Sequence, residues 1–259
     1  MAAPSPWLVR RPAPDARVRL FCFSHAGGSA TDYLPWHPSL APAIELCALQ
    51  LPGRGSRMAE PALAEMPAVL AGLAEAIASS DDGLPYAFFG HSLGALLAFE
   101  VTRLLRERGM RLPIHLFASG CSAPSTCRLE PALHLLSDSE LLAHLQTYNG
   151  TPKALLANQE LLGLVLPTLR ADFSLIGHYV HQPQPALAVA ISVLAGRDDP
   201  HVRPDDLLGW SEQTHLGCEV HWYDGDHFFI RPRAQAIQQH ILQTLVGSHV
   251  FRRETHPWP

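Results

Sequence analysis

The stretch Tyr86-Ala87-Phe88-Phe89-Gly90-His91-Ser92-Leu93-Gly94-Ala95-Leu96-Leu97-Ala98 passes from an apolar run, through a serine between glycines, into small apolar residues that continue to Leu105. The first run suits a buried strand, and the segment after the serine has the composition of a helix that stops near Gly109. A chain that reverses from strand to helix within a few residues needs glycine on both sides of the turn. The residue at the apex then takes a strained backbone, with its side chain exposed at the sheet edge over a helix N-terminus. G-x-S-x-G arises by chance in many chains, but here the strand and the helix stand where the motif requires them. Ser92 is therefore a candidate nucleophile.

The same alternation extends in both directions. Val18–Phe23, Ile44–Leu49, Ile114–Ser119, Leu187–Leu194 and Cys218–Tyr223 join Tyr86–Phe89 as continuous apolar runs bounded by Gly, Pro or Asp, the pattern of buried strands. Met66–Ser79, Ala95–Arg108 and Arg233–Leu245 repeat apolar residues at three and four positions and are expected to be helices. The pattern predicts an α/β fold, a mostly parallel sheet with helices on both faces. Residues 123–181 break the rhythm with two leucine-rich, helix-like segments, Leu133–Leu145 and Leu155–Leu169, and no strand. They are expected to form a helical insertion over the C-terminal edge of the sheet. Residues 1–259 are expected to be one domain, with a poorly ordered tail at about 246–259.

Composition narrows the partners. Nineteen Lys and Arg against 24 Asp and Glu leave a net charge of −5 with no basic run, so nucleic acid is not expected. The Pro- and Ala-rich N-terminus lacks a signal-peptide core, and no apolar stretch is long enough to span a bilayer, so a cytoplasmic protein without membrane association is expected. The odd count of five cysteines argues against a disulfide framework. Cys22, Cys47 and Cys218 fall in strand-like runs as reduced thiols, and Cys121 and Cys127 are not spaced as C-x-x-C. None of the 15 histidines forms H-x-x-x-H or H-E-x-x-H, and no metal or cofactor is expected.

A serine hydroxyl needs a base, and the base needs an orienting carboxylate. Gly196-Arg197-Asp198-Asp199-Pro200-His201-Val202 follows one strand run, and Gly225-Asp226-His227-Phe228-Phe229 follows the next. Ser92, Asp199 and His227 thus occur in the chain order Ser, Asp, His, with His227 as proton carrier and Asp199 as the orienting acid. Asp198 is the rival acid. His91 is expected to pack at the elbow rather than act as base, and Asp226 to cap its loop. The oxyanion of a tetrahedral intermediate needs N–H donors, for which Leu93, next after the serine, and Ala26, in Phe23-Ser24-His25-Ala26-Gly27-Gly28-Ser29, are the candidates. That loop lacks the G-x-G-x-x-G spacing and the lysine of phosphate-binding loops.

Taken together, Phe23 to Gly28, Gln50-Leu51-Pro52-Gly53-Arg54-Gly55, Gly90 to Gly94, Leu169-Arg170-Ala171-Asp172-Phe173 and Gly225 to Phe229 resemble the type II thioesterases, stand-alone editing hydrolases of polyketide and nonribosomal peptide synthetases. The resemblance covers about Arg17 to Leu245. It implies the α/β-hydrolase fold with a mobile helical lid at about 123–181 and an acyl or peptidyl thioester presented on the phosphopantetheine arm of a carrier protein. It also implies removal of misloaded short acyl groups or stalled intermediates. Asp172 is expected to be structural, Pro52 to Gly55 a turn near the entrance, and Arg54 or Arg57 a rim charge toward the carrier. A monomer is expected. A carboxylesterase or lipase with the same triad, or a carrier-binding protein without activity, are the competing readings.

Overall fold

Residues 5–127, 132–148, 150 and 158–247 are described by the computed structural model. Seven strands form one sheet in the order β1-β3-β2-β4-β5-β6-β7: β1 Leu8–Arg11, β2 Val18–Phe23, β3 Ile44–Leu49, β4 Tyr86–His91, β5 His115–Ser119, β6 Ala190–Gly196 and β7 Cys218–Tyr223. All neighbours run parallel except β1, which pairs antiparallel with β3 at the edge. This edge strand was hidden among the N-terminal prolines, where Leu8 and Val9 are too few to stand out as an apolar run. β6 starts at Ala190 rather than Leu187, which makes only an isolated bridge to Thr214. β7 was expected to be buried. As the outer strand it has one unpaired side, and Val220 and Trp222 are exposed.

Because both faces of the sheet are covered, alternate side chains of each strand enter different cores, and the strands read as continuous apolar runs. Phe21, Phe23, Phe88 and Leu116 pack with α1 (Met66–Ser79) and α2 (Leu93–Glu107). Leu20, Cys22, Phe89 and Phe117 pack on the opposite side with α5 (Ala234–Val246). Phe88 is fully buried and edge-on to Phe21 and Phe23, at 5.9 and 5.0 Å between ring centres. Truncating such a ring to alanine costs about 3–5 kcal/mol.

The strand order decides where a site can form. From β2 the chain steps to β3 on one side and returns to β4 on the other, so the loops leaving β2 and β4 diverge and open a crevice at their C-terminal ends. Above that crevice lie α3 (Asp138–Thr147) and α4 (Gln159–Gly177). Leu133, Leu141, Leu145, Leu162, Leu166, Leu169 and Phe173 bind these segments into a core of their own.

The expected helix at Leu133–Leu145 is divided in two, because Ser137 and Glu140 form a reciprocal N-terminal cap that starts α3 at Asp138 and leaves Leu133–Leu135 as a single 3-10 turn. The expected Leu155–Leu169 helix is displaced: Asn158 caps α4, which runs two turns past Leu169, through Asp172 and Phe173, and residues 155–157 lie outside the described set. The expected disorder after Leu245 concerns residues that, from 248 onward, also lie outside it. All five cysteines are free, with Cys218 only half-buried. Among the described residues no helix is long and apolar enough to cross a membrane.

Candidate active site

Ser92 stands between β4 and α2, at the helix N-cap, with φ 55° and ψ −121°, the sole non-glycine residue at positive φ among those described. Such a conformation costs about 1–3 kcal/mol and persists because its surroundings over-determine it. The flanking glycines are required by close approach. A Cβ on Gly90 would lie 2.2 Å from the Gly94 carbonyl oxygen, and one on Gly94 would lie 2.1 Å from the Phe23 carbonyl oxygen. The Ser92 N–H is taken by the Ser119 carbonyl at 2.8 Å, which ties the elbow to β5.

The loops after β6 and β7 bring Asp199 and His227 to the serine. His227 Nε2 is 3.1 Å from Ser92 Oγ, and His227 Nδ1 is 2.8 Å from Asp199 Oδ2. An ionised carboxylate can only accept, so Nδ1 carries the proton, and Nε2 is left to accept from the serine hydroxyl. The Asp199 side chain is 1% exposed, and its Oδ1 accepts the His201 N–H at 2.9 Å. Asp198 points away into solvent, with its N–H on the Gly225 carbonyl. Asp226 Oδ1 accepts the Phe228 N–H at 2.9 Å and so shapes the His227 loop.

His91 is completely buried, with Nδ1 3.0 Å from Ser119 Oγ and its ring 5.2 Å from that of His227. Burial holds its pKa well below the ordinary imidazole value, and the neighbouring His227 and His25 push it the same way. Motif reasoning did not find Tyr148, which follows α3 at its C-cap and stacks on His201 at 3.6 Å, edge-on to His227 at 5.2 Å. The signal for it was weak, since an aromatic at a helix end is ordinary sequence. Burial, then the charge of Asp199, pushes the Tyr148 hydroxyl up to about 12.

Two cavities meet at Ser92 and His227. One, of about 230 Å³, lies against the loop after β2 and under Leu145, Val165, Leu169 and Phe173. The other, of about 80 Å³, is lined by Leu96, Cys121, Ile176 and Val202. Neither the Ala26 N–H nor the Leu93 N–H meets an acceptor among the described residues, whereas the Gly27 N–H is committed to Asp172 Oδ2 at 2.7 Å.

The residues assigned to a charged rim lie elsewhere. Arg54 is 5% exposed, with its fork on Asp172 at 2.6 and 2.7 Å. Arg57 is buried too, held by Glu60 and the Gln50 carbonyl and lying over the Trp7 ring at 4.4 Å. Both guanidinium groups are turned inward: Arg54 also reaches the Pro52 and Gly28 carbonyls, and the turn itself is tied to α4 by Thr168 Oγ1 on the Gly53 carbonyl.

The thioesterase domain family model matches residues 18–245. The chain belongs to the thioesterase family. This thioesterase is a serine hydrolase acting on thioester bonds. Over 247 residues it is 38% identical to linear gramicidin dehydrogenase LgrE of Brevibacillus parabrevis, covering 94% of each chain. The type II thioesterase BorB from the borrelidin biosynthetic cluster superposes with a TM-score of 0.81 at 36% identity, covering 92% of this chain and 96% of that one. ClbQ, from the colibactin NRPS/PKS pathway, superposes at 0.83 with 32% identity, covering 88% and 96%. A dinucleotide-binding turn is not written in the present thioesterase, where Met58 stands at the third glycine position after Gly53 and Gly55.

Proposed function

We propose that this thioesterase is a cytoplasmic, stand-alone editing enzyme that hydrolyses acyl, aminoacyl or peptidyl thioesters from the phosphopantetheine arm of carrier proteins, using Ser92, His227 and Asp199. The chain acts as a monomer of one α/β-hydrolase domain, and the region 123–181 is its lid. The observation that carries the chemistry is the hydrogen-bonded line from Ser92 Oγ through the two nitrogens of His227 to Asp199.

His227 Nε2 takes the hydroxyl proton as Ser92 Oγ attacks the thioester carbonyl carbon, and Asp199 stabilises the imidazolium that forms. The unpaired N–H groups of Ala26 and Leu93 receive the oxyanion. Collapse breaks the C–S bond, and the pantetheine thiol leaves with the proton from His227. Water then attacks the acyl-serine with His227 again as base, which releases the acid and restores the serine.

The carrier as acyl donor is supported by the company of the relatives, BorB and ClbQ, and by a serine reached from the sheet edge under α3 and α4. Two measurements test this reading. Fluorophosphonate should label wild type and not Ser92→Ala, and kcat/KM should be higher for an acyl-carrier substrate than for the same acyl group on free pantetheine. Equal efficiency on both would remove the carrier, and higher turnover of matched oxygen esters would favour a carboxylesterase.

A further inference from the structure

We propose that Asp172 is a positioning residue for the oxyanion loop, acting through the Gly27 N–H on the donor that precedes it, Ala26; this rests on the triad and oxyanion reading above. Asp172 sits on α4 and is 0% exposed. Its Oδ2 accepts the Gly27 N–H at 2.7 Å and Arg54 Nη1 at 2.6 Å, and its Oδ1 accepts Arg54 Nη2 at 2.7 Å. A carboxylate taken this far from water is costly unless charge-assisted hydrogen bonds fill its lone pairs, and here three do. The neutral amide of asparagine could not serve a guanidinium fork and an N–H together, because it offers a single oxygen.

These contacts make one unit of three separate segments. The peptide joining Ala26 to Gly27 is held at both ends, its N–H by Asp172 and its carbonyl by His25 Nδ1 at 3.0 Å. The Ala26 N–H lies one residue back, on a loop that lines the same cavity as Ser92. One turn earlier on α4, Thr168 Oγ1 donates to the Gly53 carbonyl at 2.8 Å. The same helix turns Val165, Leu169 and Phe173 toward the larger cavity. The wall that meets substrate and the donor that meets the oxyanion thus share one anchor. A displacement of about 1 Å at such a donor is worth about 10²-fold in rate.

Removing Asp172 alone would strand a buried guanidinium, so the test replaces both partners. In the apolar pair Arg54→Met with Asp172→Leu, kcat should fall about 10- to 100-fold with KM within about threefold of wild type. Affinity for an acyl trifluoromethyl ketone, whose hemiketal oxygen occupies the oxyanion position, should weaken by the same factor. In the amide pair Arg54→Gln with Asp172→Asn, the asparagine oxygen still accepts the Gly27 N–H, and both quantities should stay within about fivefold.

Wild-type kcat and ketone affinity in the folded apolar pair would overturn the proposal. So would an amide pair that folds and is as impaired as the apolar one. If the apolar pair does not fold, the Gly27 amide of the whole protein decides. Slow exchange in wild type and in the amide pair supports the anchor, and exchange as fast as in the exposed loops overturns it. Failure of fluorophosphonate to label wild-type Ser92 would instead overturn the triad reading.

Discussion

Asp199→Asn should lower kcat by about 10⁴-fold, or about 5.5 kcal/mol of transition-state stabilisation, with little loss of stability. The size of the effect depends on which way the new amide points, and the structure decides that. Asp199 Oδ1 faces the His201 N–H at 2.9 Å, and Oδ2 faces His227 Nδ1 at 2.8 Å. The backbone N–H must meet an oxygen, so the asparagine carbonyl takes that side and its NH₂ faces His227. Nδ1 must then accept, which moves the ring proton to Nε2, where it opposes the Ser92 hydroxyl 3.1 Å away. The base is lost by tautomer while its position is kept. Turnover of an acyl-carrier thioester gives kcat, and thermal melting checks the fold. The imidazole proton resonances of wild type and variant report which nitrogen is protonated. Asp198→Asn is the control, and because Asp198 faces solvent it should stay within about threefold of wild type. An Asp199→Asn enzyme within tenfold of wild type, or a deeper loss in Asp198→Asn, would refute the reasoning.

Val165→Phe, which adds bulk to the larger cavity, should move the preferred acyl length downward and leave acetyl thioester turnover intact; rates from acetyl to decanoyl check it, and a uniform loss would mean that the residue does not measure the chain. Gly94→Ala would put a methyl 2.1 Å from the Phe23 carbonyl oxygen, and should cost more than about 3 kcal/mol in urea unfolding. His115, whose Nε2 meets Ser192 Oγ at 2.9 Å, is held at a pKa of about 4, first by burial and then by His240 and His221. The folded chain therefore binds this proton less readily than the unfolded one; the contribution is whole above about pH 6.5 and is lost as pH falls toward 4, up to about 3 kcal/mol in all. His115→Gln should flatten that part of the stability curve, and coincident curves for the two proteins would refute the assignment.

Much of this was legible in the sequence because it is local. A strand covered on both faces must be apolar throughout, so β2 and β3 are bounded as the pattern predicts. The elbow is legible because close approach at Gly90 and Gly94 penalises any side chain there. Asp199 and His227 are legible because each follows directly on a strand end, where the sheet gathers its loops. What escaped has nonlocal causes. β1 is a strand by virtue of its partner β3, and α4 outlasts its leucine pattern because Asp172, polar in sequence, is neutralised by a guanidinium 118 residues away in the chain. A charge pair of that separation leaves no period to detect, and the same blindness placed Arg54 at the surface.

The crowding of imidazoles around Ser92 also explains why one of them, and not its neighbours, is suited to carry the proton. His25, His91 and His201 each have a pKa lowered first by burial, and in all three the presence of His227 lowers it further. A second imidazolium so close to a first is disfavoured by like-charge repulsion. The choice of ring falls to the partners. His25 has its Nδ1 on the Ala26 carbonyl and meets a charge only at 3.8 Å, where its Nε2 faces the partly exposed Asp32 carboxylate; His91 has its Nδ1 on the Ser119 hydroxyl, which bears no charge. His201 is stacked flat on Tyr148. His227 has a buried carboxylate on one nitrogen and the serine hydroxyl on the other, so the charge created by deprotonating the serine arises where a counter-charge already waits. That pair is itself buried, with the His227 and Asp199 side chains 5% and 1% exposed, so the attraction between them is weakly screened.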